Sequence, residues 1–334
     1  MSISDHVYDV VIAGGGPAGL AAALTLGRAH RRVLLLDTGQ GRNAPAEAVH
    51  NFLTRDGTPP AELRALARRE LSAYASVELR DETVTDVRPG FLVGLSGGDR
   101  VTARRLLLAT GLADDLPGPP GVEELWGRSA FHCPYCHGFE VTGLPVAVVG
   151  AAPSRVRLAL QLSRFADVAL CTGGEPLDPA ARAKLTGCGV AVREERIVRL
   201  EASGGRLARI VFEDGPPLPR RAVFVVNVPR RPDGDLAARL GCAAFGDGCL
   251  EVDEFGRTSV PGVYAAGDLA RRATVPVPLA AVIAAAASGT VAAAAIDQDL
   301  LSADFDLPAF AAGRDRAVTI TTNRSAFAAG KERS

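Results

Sequence analysis

The sequence predicts an α/β protein built from two Rossmann-like, doubly wound, three-layer nucleotide-binding domains, the second inserted into the first. Three observations carry this reading. A strand, glycine turn and helix open the chain, a second unit of the same kind begins at Pro145, and the 334 residues exceed what one core ordinarily fills.

The first unit starts with Tyr8-Asp-Val-Val-Ile-Ala13, a short β-branched run, followed at once by Gly14-Gly-Gly-Pro-Ala-Gly19. An alanine and leucine-rich helix to about residue 29 comes next, then a strand over 32–36 that ends in Asp37. In this order Gly14 permits a tight turn, Gly16 lets the backbone approach a pyrophosphate, and Gly19 allows close helix packing. The helix N-terminus adds unpaired N–H groups and partial positive charge for the phosphates. Asp37 stands where a carboxylate takes ribose hydroxyls. A glycine triplet alone is also compatible with a tight structural turn; the flanking strand, helix and acid point to a dinucleotide site.

The second unit comprises a strand over 145–149, Gly150, an apolar helix over about 155–165 and a strand over 168–171. Residues 258–268 read as turn, strand and glycine turn, and are assigned back to the first domain, which becomes discontinuous. Gly267-Asp268 offers a carboxylate before a helix, where it serves either cofactor hydroxyls or simple capping.

Between the two units lies Phe131-His-Cys-Pro-Tyr-Cys-His-Gly-Phe-Glu140, the densest chemical cluster in the chain. Cys133 and Cys136 can close a small disulfide ring, and His132 and His137 flank them as groups that can give or take the accompanying proton. Attached haem and a zinc site are the alternatives. Haem attachment goes with export, and a closed zinc site needs four ligands where no second C-x-x-C exists. Cys171, Cys188, Cys242 and Cys249 read as structural thiols. His6, His30 and His50 read as surface or hydrogen-bonded residues.

Composition excludes several classes. With 47% hydrophobic and 22% charged residues the chain is globular, and a net charge of -1 without a basic block argues against nucleic acid or an anionic membrane as partner. The first residues lack the pattern of a secretory signal, so a cytoplasmic protein is expected. Residues 273–296 carry no charge, but their alanine content, Pro276 and Pro278 predict a buried helix rather than a membrane span. From about Leu307 no periodicity is visible; this is a tail or a dimer arm. No metal is expected.

Taken together, Gly14-Gly-Gly-Pro-Ala-Gly19, Ala109-Thr110-Gly111, the C-x-x-C and Val263-Tyr-Ala-Ala-Gly-Asp268 resemble, in that order, the thioredoxin-reductase-like flavoproteins. The resemblance covers about residues 7–300. It implies an FAD-binding domain of residues 1–115 plus 250–305, an NAD(P)-type domain of 116–249 that begins with the dithiol, a tail of 306–334, and a homodimer. It places Gly14, Gly16, Pro17, Ala18, Gly19, Asp37, Asn51, Thr110, Gly111, Gly267 and Asp268 around FAD, with Cys136 flavin-proximal and Cys133 exchanging with substrate.

The departures from that family carry information of their own. The second fingerprint reads Gly150-Ala-Ala-Pro-Ser-Arg155, and Thr172-Gly-Gly174 stands where an arginine pair would grip a 2'-phosphate. These put ordinary NAD(P)H use in doubt. His137 replaces an aspartate, and Cys-Pro-Tyr-Cys-His-Gly-Phe-Glu looks like the dithiol oxidases that close disulfides in gliotoxin-like and holomycin-like products. The expected function is an FAD-dependent dithiol oxidase using O2, acting on a dithiol of a small molecule or peptide, with Cys133, Cys136 and the base His137 as catalytic residues. A reductase driven by NAD(P)H or ferredoxin, acting on a thioredoxin-like disulfide, is the second reading. A non-catalytic flavin-binding redox sensor is the third.

Overall fold

A computed structural model of the chain describes residues 7–231, 236–278 and 280–310. The chain runs β1 (Val7–Ala13), α1 (Pro17–Arg28), β2 (Val33–Leu36), α2 (Pro60–Leu71), β3 (Val77–Arg80), β4 (Val84–Arg88), β5 (Leu92–Leu95), β6 (Arg100–Leu108) and β7 (Ala113–Asp115). Next come α3 (Val122–Leu125), β8 (Ala130–Phe131), α4 (Pro134–His137), β9 (Pro145–Val149), α5 (Pro153–Leu162), β10 (Asp167–Cys171), α6 (Pro179–Gly187) and β11 (Ala191–Arg193). The rest holds β12 (Ile197–Ser203), β13 (Arg206–Phe212), β14 (Leu218–Pro219), β15 (Ala222–Phe224), β16 (Val228–Arg230), α7 (Leu236–Arg239), β17 (Leu250–Glu251), β18 (Val263–Ala265), β19 (Ala270–Arg271) and α8 (Val282–Asp304).

The first sheet has the order β3-β2-β1-β6-β5-β4, with β18 also paired to β6. Its central strands are parallel and read as continuous apolar runs because both faces are covered; Val10, Val11 and Ile12 are fully buried. β18 joins in parallel, Val263 opposite Leu106, so a late segment of the chain completes the first sheet. The second domain is therefore an insertion, as the sequence predicts.

The second sheet, β11-β10-β9-β15-β8, is parallel throughout. An antiparallel sheet of β12, β13 and β14 lies beside it in sequence. Where the chain leaves the first sheet and where it returns, β7 and β16 pair antiparallel as a two-stranded ribbon.

Two helix starts differ from expectation, both because of proline. α5 begins at Pro153, which takes the first helical position, where its missing N–H costs nothing. α8 begins only at Val282, beyond Pro276 and Pro278. Among the described residues no helix is long and apolar enough to cross a membrane. The described residues fall into two compact units that part between Asp297 and Gln298; both large sheets belong to the first. In the second, the Leu307 N–H closes the end of α8 on the Ser302 carbonyl at 3.0 Å, and the expected tail lies outside the described residues from 311 onward.

Gly14 is the turn on which the first unit depends. Its φ is +109°, and a Cβ there would collide with the Ala109 carbonyl on the neighbouring chain segment. Gly14→Ala is expected to lose about 1–3 kcal/mol of stability through strain and displacement. Denaturant unfolding of the variant beside the parent protein measures it.

Candidate active site

At the C-terminal edge of the first sheet the backbone forms a bare turn. Gly16 precedes α1 without a side-chain cap, a Cβ on it would face open space, and Pro17 occupies the first turn. Gly19 packs so closely that a Cβ would strike the Gly14 carbonyl, and Ala18 is buried beneath α8, where Gly289 leaves room for the Ala18 carbonyl. Asp37, 8% exposed, accepts from the Gly39 N–H at 3.1 Å and from Arg68 at 3.3 Å. A cavity of about 320 Å3 extends from Gly15 and Pro17 to Asn43, Phe52 and Val282.

Thr110 and Gly111, the latter at φ +67°, follow β6, and Gly267 at φ +78° donates its N–H to Ser288 of α8 at 2.9 Å. Asp268 sits in the 3-10 turn after β18. These residues fit a dinucleotide. The glycine turn and helix N-terminus suit a pyrophosphate, and Asp37 and Asp268 provide one carboxylate toward each end.

Arg42, in the long loop after β2, connects Asp268 to the interdomain ribbon. Its Nη1 donates to Asp268 Oδ2 at 2.8 Å, and Nε and Nη2 donate to both Asp114 oxygens at 2.9 and 2.5 Å. Asn227, at the other strand of the ribbon, adds a hydrogen bond to Asp114 at 2.8 Å. Burial pushes the Asp114 carboxyl up, but the Arg42 bonds and charge outweigh it and hold it below the usual range. For Asp268 burial wins, and its carboxyl is raised despite Arg42.

The same loop reaches the dithiol. A Cβ on Gly127 would meet the Pro45 backbone at 2.6 Å, so loop and second domain touch without side chains between them. β8 leads into Cys133, which precedes α4 and forms a disulfide with Cys136 across 5.4 Å between Cα atoms. His137 stacks on Phe131 with ring centres 4.3 Å apart, and His132 stacks on Trp126 at 5.5 Å. Burial, then the neighbouring His50 and His132, push the His137 imidazole down to about 4. Burial and Arg42 likewise lower His132.

Cys136 forms part of the wall of a cavity of about 330 Å3, together with His50, Asn51, Asp56, Tyr135, Phe139 and Glu140. Asn51 is held at φ +59° with its N–H on Asp56 at 2.7 Å. Tyr135 and Phe139 are 73% and 84% exposed, an apolar margin beside the disulfide. Of the two readings the sequence allows for His50, surface or partnered, the structure shows the partnered one. Its Nε2 lies 3.4 Å from Glu140 and its Nδ1 3.6 Å from Asp56. The sequence singles out neither Arg42 nor Asp114, and it offers His50 and Glu140 without a joint role; adjacency to Asn51 is the one local clue to His50.

In the second domain the site of the altered fingerprint is filled from within. Arg155, 9% exposed, donates from Nε to the Val149 carbonyl at 2.9 Å and from Nη2 to the Phe224 carbonyl at 2.5 Å. It thus spans the carboxyl ends of β9 and β15, and burial lowers its guanidinium to about 10. Cys171 and Cys249 are buried, with thiols pushed up to about 12 and about 11 by that burial, and Cys188 is exposed after α6.

Two nucleotide-type sheets with a disulfide directly after the first strand of the second define a thiol-disulfide oxidoreductase that works with a bound dinucleotide cofactor. The chain belongs to the pyridine nucleotide-disulphide oxidoreductase family, whose model matches residues 8–289, and its cofactor is FAD. It is 31% identical to "Thioredoxin reductase sirT" of Leptosphaeria maculans, over 91% of this chain and 98% of that one. To "Thioredoxin reductase aclD" of Aspergillus oryzae it is 33% identical, over 78% and 88%. Among solved structures, HlmI superposes with a TM-score of 0.82 at 40% identity, covering 91% of this chain and 95% of that one. An oxidoreductase from Agrobacterium tumefaciens gives 0.80 at 36%, over 89% and 99%.

Removing Arg42 leaves two carboxylates facing each other without their cation. Arg42→Met is expected to destabilise the protein by about 3–5 kcal/mol at pH 7, the usual cost of stranding a buried charge. The loss shrinks as pH falls and the carboxyls take up protons. Unfolding curves of both proteins at pH 7 and pH 5 check the magnitude and the sign.

Proposed function

We propose that the protein is an FAD-dependent dithiol oxidase, taking two electrons from a small-molecule or peptide dithiol through Cys133 and Cys136 and passing them to O2. The observation that carries this direction is Arg155. Its side chain occupies the crevice between β9 and β15 where a nicotinamide dinucleotide would enter, and Ala152 adds a methyl group at the turn. Thr172-Gly-Gly174 supplies no guanidinium fork for a 2'-phosphate. Reduction by NAD(P)H is the second reading, supported by the names of the relatives, and the Arg155 contacts weigh against it.

On this reading FAD is held by residues 1–115 plus 250–305, through Gly14, Gly16, Pro17, Ala18, Gly19, Asp37, Asn51, Thr110, Gly111, Gly267 and Asp268. When bound it supplies a two-electron acceptor that O2 regenerates. The protein's own residues do the sulfur chemistry. A substrate thiol gives its proton to His137, whose ring is neutral at pH 7 and free to accept one. The thiolate attacks Cys133 Sγ and Cys136 Sγ leaves. The second substrate thiol gives up its own proton at the site as it closes the product disulfide, and Cys133 departs with the proton that His137 returns. Tyr135 and Phe139 give the substrate an apolar approach. Residues 116–249 carry this chemistry, and the protein works in the cytoplasm as a homodimer.

The FAD-loaded protein is expected to consume O2 steadily with excess small dithiol and to remain oxidised with NADPH under argon. Oxygen-electrode traces and anaerobic spectra measure the two. Rapid, saturable reduction by NADPH would reverse the direction assigned.

A further inference from the structure

The Cys136 wall of the cavity carries a proton-handling group that the sulfur chemistry above leaves unassigned. His50 borders the same cavity, with side-chain exposure of 18%, and both ring nitrogens face carboxylates: Glu140 at 3.4 Å and Asp56 at 3.6 Å. His137, edge-on at 6.2 Å between ring centres, is the other titratable ring facing it. Asn51 and Tyr135 complete the polar groups of this wall, and among the described residues no group of side chains is arranged to hold a metal ion.

His137 and His50 differ in what they can hold. His137 has Phe131 on its face and a buried Nε2 without a hydrogen-bond partner, so a proton taken up there finds no counter-charge and is passed on rather than kept. His50 has a carboxylate at either nitrogen, so a proton placed there forms an ion pair on each side, that with Asp56 weakened by the 68% exposure of its side chain. A cationic imidazole next to a cysteine stabilises the thiolate over the thiol.

We infer that His50, backed by Glu140, is the proton acceptor for Cys136 and keeps that sulfur as a thiolate once the disulfide is reduced. The assignment rests on the reading of Cys133 and Cys136 as the working dithiol. The balance is complete. A substrate dithiol loses two protons and two electrons and becomes a disulfide; the Cys133–Cys136 bond breaks and receives both electrons. One proton ends on Cys133 Sγ, and the other on His50. Cys136 Sγ is left anionic, as an electron donor must be to hand its pair onward.

The test uses the full chain with Cys133→Ser, which leaves Cys136 free, and follows iodoacetamide labelling of the Cys136 peptide against pH by mass spectrometry. Labelling is expected to half-saturate below the ordinary cysteine range. Adding His50→Gln is expected to slow labelling at pH 7 about tenfold, the change that one unit of thiol pKa produces. Adding Glu140→Gln should shift it in the same direction by less, while the exposed Cys188 labels at an unchanged rate and reports an intact fold. An unchanged Cys136 profile in both variants, or a shift produced by His137→Gln and not by His50→Gln, overturns the assignment. The readout needs no turnover. A His50-dependent profile in a protein that does not oxidise dithiols sinks the oxidase direction and leaves the assignment standing.

Discussion

Everything at the site depends on one guanidinium. Arg42 ties together the loop after β2, the ribbon between the two domains and the turn after β18, because its three nitrogens are shared between Asp114 and Asp268. Arginine suits this place better than lysine. Its planar fork matches one carboxylate with two bonds and leaves a nitrogen for a second. With the loop fixed at Arg42, the residues that follow it, His50 and Asn51, are carried to the wall of the cavity that Cys136 shares.

The second constraint is steric. Parallel sheets need their helices close, and the chain meets this with small residues at three crossings: Gly19 against Gly14, Gly289 against Ala18, and Gly127 against Pro45. The first two assemble the glycine turn and α8 around the FAD end. The third sets the dithiol-bearing segment against the loop that holds His50. A side chain at any of them would push apart surfaces that the chemistry needs together.

How much of this could be read from the sequence follows from the range of each interaction. The turn Gly14 to Gly19 and the pair Cys133 and Cys136 are local, and residue type and spacing reveal both. The return of residues 263–265 to the first sheet was legible because the apolar strand ends in Gly267-Asp268, as the first unit's strand ends in its own glycine turn. Arg42, Asp114 and Asp268 were not legible as a cluster, since 72 and 226 residues separate Arg42 from its partners. His50 reads from the sequence only as a surface or hydrogen-bonded residue, for the same reason: Asp56 is near in sequence, but Glu140 and Cys136 arrive from the other domain. Arg155 was visible as a departure from a glycine fingerprint. That its side chain turns inward to the Val149 and Phe224 carbonyls only the fold reveals.

The central claim is that electrons enter through this pair of sulfurs and leave through Cys136. Anaerobic mixing of the FAD-loaded protein with one equivalent of dithiol tests it most directly, comparing the parent chain with Cys136→Ser. The account expects the visible flavin band to bleach in the parent and to persist in the variant, whose lone Cys133 thiol offers no disulfide for the substrate to attack. Bleaching at an undiminished rate in Cys136→Ser would contradict it.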